Sequence, residues 1–188
     1  MSRINQLERS DLEEEEVQIY DAIVASRGDI AGPFRTWLHS PQLADRAQNL
    51  GEFLRYNTDL EPRLSELAIL VTARFWDCQV EWTLHEKFAV KSGLNQKIID
   101  AIRNCQLPEF ENKDERTVHN YTNELLCNRF VQDRTFAAAI EELNKKSVVE
   151  LTGLIGYYSM VALTLNAFQL PVPPDCKPTL VDCPTSRR

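Results

Sequence analysis

Apolar residues recur about every 3.6 positions along most of this chain, and no stretch alternates apolar with polar for long. That period builds helices and leaves no half-buried strand. The tightest constraint lies in Pro62–Phe75. Leu64, Leu67, Ala68, Val71 and Phe75 fall on one stripe, and Ile69 and Leu70 fall off it, so this helix is apolar nearly all round. Such a helix must be enclosed by other elements, which makes it the centre of whatever forms. A second long apolar helix is expected from a Ser147 cap to about Leu170, with no charged residue from Leu151 to Pro174. Thr152, Tyr157, Tyr158, Thr164, Asn166 and Gln169 make it too polar for a bilayer span and ordinary for a core helix. The expected class is all-α, one compact multi-helix domain.

Turn chemistry divides the pattern. Ser10 or Asp11 is suited to cap a first helix opening on Glu13–Glu16, whose carboxylates match the positive end of the helix dipole, and Gly28 ends it. Gly32–His39 reads as a turn into a short helix, and Pro41 and Pro62 sit where a first helical position tolerates proline. Gly93 stops the helix that follows Asp77, and Asn95 caps a short one reaching about Asn104. Lys113–Phe130 and Asp133–Asn144 complete the series. The organisation is an N-terminal helical extension (1–30), a helical domain (31–174) and a Pro-rich extended tail (175–188). That tail is expected to lie across the body or a neighbouring subunit.

The chain has 188 residues, 43% of them hydrophobic, enough for a real core. Its 21 basic and 28 acidic side chains give a net charge of −7, which repels phosphate backbones and argues against nucleic acid as a partner. Met1–Ser10 is polar and lacks the apolar core of a signal peptide. Cys78, Cys105, Cys127, Cys176 and Cys183 form no C-x-x-C pair and no zinc-type spacing. Free thiols in a reducing, cytoplasmic compartment are the simplest expectation.

Three titratable residues share one helix face: Cys78, Glu81 and His85, at i, i+3 and i+7, with Trp82 beside them. Glu81 and His85 are i, i+4 neighbours and can hydrogen-bond, which would select the imidazole tautomer and raise its basicity. Burial would bring both groups towards neutrality, as general acid–base work near pH 7 requires. Read as ordinary surface chemistry, the same pair is a helical Glu–His contact worth a few tenths of a kcal/mol. Three ligands spread over two turns of one helix do not converge on one ion, so no metal is expected. His39 and Trp37 could form a pocket wall or simply pack a turn, and Tyr157 and Tyr158 in the long apolar helix each need a partner for the hydroxyl, which core or site could supply. His119, among Glu, Asn and Arg, reads as a surface residue.

The stretch Arg63–Leu94 (RLSELAILVTARFWDCQVEWTLHEKFAVKSGL) resembles the carboxymuconolactone decarboxylase family, whose superfamily includes the alkylhydroperoxidase D enzymes. Their pattern is a glutamate, eleven residues, a cysteine, two residues, a second cysteine, three residues and a histidine. Glu66, Cys78 and His85 stand at those spacings, Glu81 replaces the second cysteine, and Gly93 follows. Glu150–Phe168 also looks like the family's closing helix, so the resemblance runs from roughly Gly32 to Pro174. It implies an AhpD-like helical fold, homo-oligomers such as trimers or hexamers, and no cofactor. The missing thiol disfavours a dithiol peroxidase, because Cys78 has no partner one turn away. The decarboxylase branch, with a glutamate and histidine at the Glu81 and His85 spacing, implies proton chemistry on a small carbonyl or unsaturated carboxylic acid or lactone. In that reading His85, Glu81 and Cys78 form the catalytic group, with Cys78 lining the pocket or acting as a helper donor. Arg35 and Arg74 are the candidate clamps for a substrate carboxylate, and Trp37, His39, Trp82 and Tyr157 complete the binding residues. A Cys78-dependent thiol peroxidase and a non-catalytic oligomeric binding protein are the alternatives.

Overall fold

The computed structural model describes residues 2–183. A 3-10 turn at Arg9–Asp11 precedes eight α-helices: α1 (Glu14–Arg27), α2 (Phe34–Trp37), α3 (Pro41–Tyr56), α4 (Pro62–Phe75), α5 (Gln79–Lys91), α6 (Gln96–Arg103), α7 (Lys113–Asn128) and α8 (Asp133–Ala167). No strand occurs among the described residues. The chain is all-α, as the periodicity requires.

The all-round apolar helix is the hub. Residues Leu64–Ala73 of α4 are all buried, and α5, α6, α7 and α8 pack around it. Burying each leucine contributes about 1.5–3 kcal/mol relative to exposure. α8 closes the other side with Leu151, Leu154, Ile155, Val161 and Leu165. It is long and apolar enough to cross a membrane by length and composition, but most of its apolar window is buried inside the protein. It therefore serves as a core helix of this fold.

At the N-terminal end of α4, Arg63 forms ion pairs with Asp114 and with the buried Glu115 of α7, which ties these helices where a charge would otherwise be stranded. Several boundaries follow the turn residues. Gly28 (φ 83°) and Gly93 (φ 88°) adopt the left-handed conformation after α1 and α5, and the Asn95 side chain accepts from Lys97 N.

Three local expectations are corrected. The cap of α1 is Glu13, in a reciprocal capping box with Glu16, while Ser10 and Asp11 form the preceding 3-10 turn. The helical run breaks at Asn144 (φ 70°, ψ 167°), whose side chain accepts from Ser147 N at 3.1 Å, so Asn144 rather than Ser147 caps the long apolar segment. His119 is buried against the Phe110 ring (centroids 5.0 Å apart), and burial lowers its pKa.

The thiol expectation is also overturned. Cys105, just beyond α6, is disulfide-bonded to Cys183, with Cα atoms 6.0 Å apart. Cys78, Cys127 and Cys176 are free. The pairing removes the observation on which a reducing compartment rested. It fastens the tail as a strap across the outer side of α5. Trp82 Nε1 donates to Thr179 Oγ1 (3.0 Å), Thr179 Oγ1 donates to Glu86 Oε2 (2.8 Å), and Arg74 Nη1 donates to the Val181 carbonyl (2.9 Å). Pro184 and the rest of the predicted tail lie outside the described residues. The closed loop has a sequence separation of 78. Loop-closure entropy then predicts that Cys183→Ser lowers stability by roughly 2–5 kcal/mol. Thermal melts should show the loss, and reductant should destabilise the native chain but not the variant.

Candidate active site

Glu66 lies in the run of buried residues on α4, where an unpaired carboxylate would be costly. Its partner is His85 of α5, which places Nδ1 2.8 Å from Glu66 Oε2 with both side chains about nine-tenths buried. An ionised Glu66 accepts the Nδ1 proton and leaves Nε2 as the basic nitrogen. Nε2 has no protein partner among the described residues. The His85 ring is held from the side by Tyr158 (centroids 4.9 Å, nearly perpendicular), and Tyr158 packs the same way on Tyr157 (5.4 Å).

These groups face a cavity of about 540 Å³ bounded by α1, α3, α4, α5 and α8. Glu66, Glu81, His85, Tyr157 and Tyr158 line its inner part, and Arg27, Arg55 and Lys91 bring positive charge to it. Its shape depends on Gly51 of α3. A methyl group there would overlap the Tyr157 hydroxyl and press on the Arg27 guanidinium. The absence of a side chain lets both pack onto the helix.

Glu81 is 1% exposed, and neither carboxylate oxygen has a hydrogen-bond partner. The expected Glu81–His85 bond is therefore corrected: α4 supplies the histidine's carboxylate, and Glu81 remains unpartnered in the cavity wall. Desolvation holds its carboxyl well above the ordinary 4.5, which favours the protonated, neutral form. Tyr157 is pushed up to about 12, mainly by burial, so it too keeps its proton.

Cys78 occupies the N-cap position of α5 and is fully buried. Burial, then the neighbouring Glu81, raises its thiol to about 12 against the opposing pull of the Glu81 and Val80 amides. It is not among the cavity's lining residues.

Of the residues singled out from sequence, the structure brings Glu66, Glu81, His85 and Tyr157 together at the cavity and places the proposed clamps, Trp37, His39, Trp82 and Cys78 elsewhere. Arg35 pairs with Glu8 of the N-terminal segment. Trp37 is buried, its Nε1 donating to Thr164 Oγ1 at 3.1 Å. His39 is exposed, with Nε2 2.9 Å from the Asn5 carbonyl. Arg74 pairs with Asp77 and holds the tail. Eight residues put it about 12 Å along α4 and about 80° around it from Glu66, so the two do not share a face. Trp82 is fully buried and turned to the strap. Tyr158, beside Tyr157, also lines the cavity, and Arg27 and Arg55 carry no local sequence signal, so only the assembly of helices distant in sequence reveals them.

Solved structures share this architecture. A peroxidase-related protein with an alkylhydroperoxidase AhpD core, from Ralstonia eutropha JMP134, matches with a TM-score of 0.76 at 13% identity over 93% of this chain and 93% of that chain. The debrominase Bmp8 without ligand matches at 0.72 with 15% identity over 90% and 91% of the two chains. The fold is AhpD-like. A cysteine-to-alanine variant of Bmp8 in complex with 2,3,4-tribromopyrrole matches at 0.74 with 13% identity over 93% and 95%. No protein-family model and no curated protein matches the sequence. The AhpD-like fold is thus shared by a debrominase and an uncharacterized peroxidase-related protein, and a shared fold leaves the chemistry to the site's own groups.

A neutral buried Glu81 makes the folded chain bind one more proton than the unfolded chain above the ordinary carboxyl range. Stability from this group is complete below about pH 4.5 and falls as pH rises towards the elevated value, by at most about 1.4 kcal/mol per pH unit. Glu81→Gln should remove that slope and raise stability at pH 8 relative to the native chain, as read from denaturant unfolding across pH.

Proposed function

We propose that the chain is a cofactor-independent enzyme acting on a small carbonyl or unsaturated carboxylic acid or lactone by general acid–base chemistry, decarboxylation or a related proton transfer. The observation that carries this reading is the pairing of opposite proton states in one cavity. His85, with Nδ1 bound to Glu66, offers a basic Nε2, while Glu81 is an unpartnered neutral carboxyl.

In the decarboxylation route, the carbon–carboxylate bond breaks, CO2 leaves, and the electron pair moves into the substrate carbonyl as an enolate. The Glu81 carboxyl donates a hydrogen bond to that oxygen. Protonated His85 delivers its Nε2 proton to the carbon, and a solvent proton restores it. In the isomerisation route, neutral His85 removes a proton beside the carbonyl and returns it to the conjugated carbon. Glu66 balances the imidazolium charge in both routes.

A thiol peroxidase based on Cys78 is poorly supported. The thiol is fully buried, raised to about 12 and away from the cavity, so little of it is thiolate at neutral pH. An oligomer, trimer or hexamer, belongs to the same proposal. Leu43, Leu50 and Phe53 leave an exposed apolar strip on α3 that another copy would cover, and light scattering of the purified chain should return a mass above 21.6 kDa.

Turnover tests the chemistry. On a substrate found by screening unsaturated keto acids and lactone acids for CO2 release or deuterium exchange, His85→Ala and Glu81→Gln should each reduce kcat at least about 100-fold. Cys78→Ser should leave most of it. Native turnover in a folded His85→Ala variant would sink the assignment.

A further inference from the structure

Most arginines with a structural task here have a carboxylate partner: Arg9 with Asp21, Arg35 with Glu8, Arg63 with Asp114, Arg74 with Asp77 and Arg103 with Glu86. Arg55, near the C-terminal end of α3, is different. Its guanidinium lies 4.5 Å from the centroid of Phe88 and 5.2 Å from that of Tyr56, and it makes no hydrogen bond or ion pair with any described residue. A guanidinium stacked on a ring keeps its in-plane N–H fork available, and that fork matches a carboxylate.

The surroundings favour an anion. Arg55 lines the cavity. Arg27, also lining it, sits over the Phe34 ring at 4.6 Å and donates to the Gln48 carbonyl, so its charge too lacks a carboxylate. The cavity's acids do not oppose this. Glu66 is engaged by His85, desolvation of the fully buried Glu81 favours its neutral form, and Asp29 is exposed and turned to the Ala31 amide. The spacing suits one small ligand. Phe88 carries Arg55 on its face and has the His85 ring 5.9 Å from its centroid, so an anion held at Arg55 keeps its connected atoms within reach of His85. Phe88 and Tyr158 provide aromatic surface along that path.

We propose that Arg55 is the specificity-determining residue of this cavity, binding the carboxylate of a flat aromatic or conjugated acid with Arg27 adding to the local positive field. The proposal rests on the reading of the cavity as the active site, yet Arg55 lies outside the Glu66–His85 sequence pattern. It takes the role that sequence alone assigned to Arg35 and Arg74.

The test uses benzoate and its uncharged counterpart benzamide as probes, with calorimetric titration of the full chain. Native protein should bind benzoate at least about 10-fold more tightly than benzamide, the scale of a charged hydrogen-bonded pair. Arg55→Gln should abolish that preference by weakening benzoate alone, Arg55→Lys should restore part of it, and circular dichroism checks that each variant is folded. Equal affinity for the two probes, no benzoate binding up to tens of millimolar, or native benzoate affinity in Arg55→Gln would each overturn the proposal. The experiment separates the two assignments. An Arg55-dependent preference in a chain whose turnover survives His85→Ala supports the subsite and removes the acid–base reading. Loss of turnover in His85→Ala with an Arg55-independent affinity removes the subsite alone.

Discussion

A carboxylate on the most enclosed helix of a protein must find a partner. Glu66 sits within a continuous run of buried residues on α4, and His85 of α5 satisfies it. That one bond sets how α5 presents itself to α4, which imidazole nitrogen is engaged, and which nitrogen is left for chemistry. It leaves Glu81 with no basic partner, and desolvation then decides the proton state of Glu81. The basic and acidic members of the site therefore arise from one packing decision.

The two sides of α5 do different work. Its inner residues, Glu81, Leu84, His85 and Phe88, line the cavity, while Trp82 and Glu86 are held by Thr179 of the strap. The Cys105–Cys183 disulfide fixes that strap. The helix carrying the candidate catalytic groups is thus clamped from behind by a segment with no regular structure of its own. Rigid support of this kind is what keeps reacting groups in place.

Much of the fold was legible in the sequence. The all-round apolar pattern of Pro62–Phe75 announced the hub, and glycine and proline positions located several helix ends, because both signals act within a few residues. Asn144 shows where local reading fell short. Both Asn144 and Ser147 can cap a helix, and the break in the backbone chose the former. The candidate site was legible only in part. The spacing of Glu66, Glu81 and His85 marked the correct helices, but i, i+4 proximity suggested the wrong carboxylate for His85. Arg74 looked like a clamp from its residue type, but its rotation about α4 turns it away from Glu66 and towards Asp77 and the tail.

Sequence alone determined that this chain is helical, which helix lies at the centre, and that Glu66, Glu81 and His85 lie on two consecutive helices. Those properties follow from periodicity and spacing, which are local. The tertiary structure alone decided that Glu66 holds His85, that Glu81 keeps its proton, that Arg55 rather than Arg35 or Arg74 reaches the cavity, and that Cys105 meets Cys183. Each depends on residues far apart in the chain, whose distances, burial and partners exist only once the helices have packed.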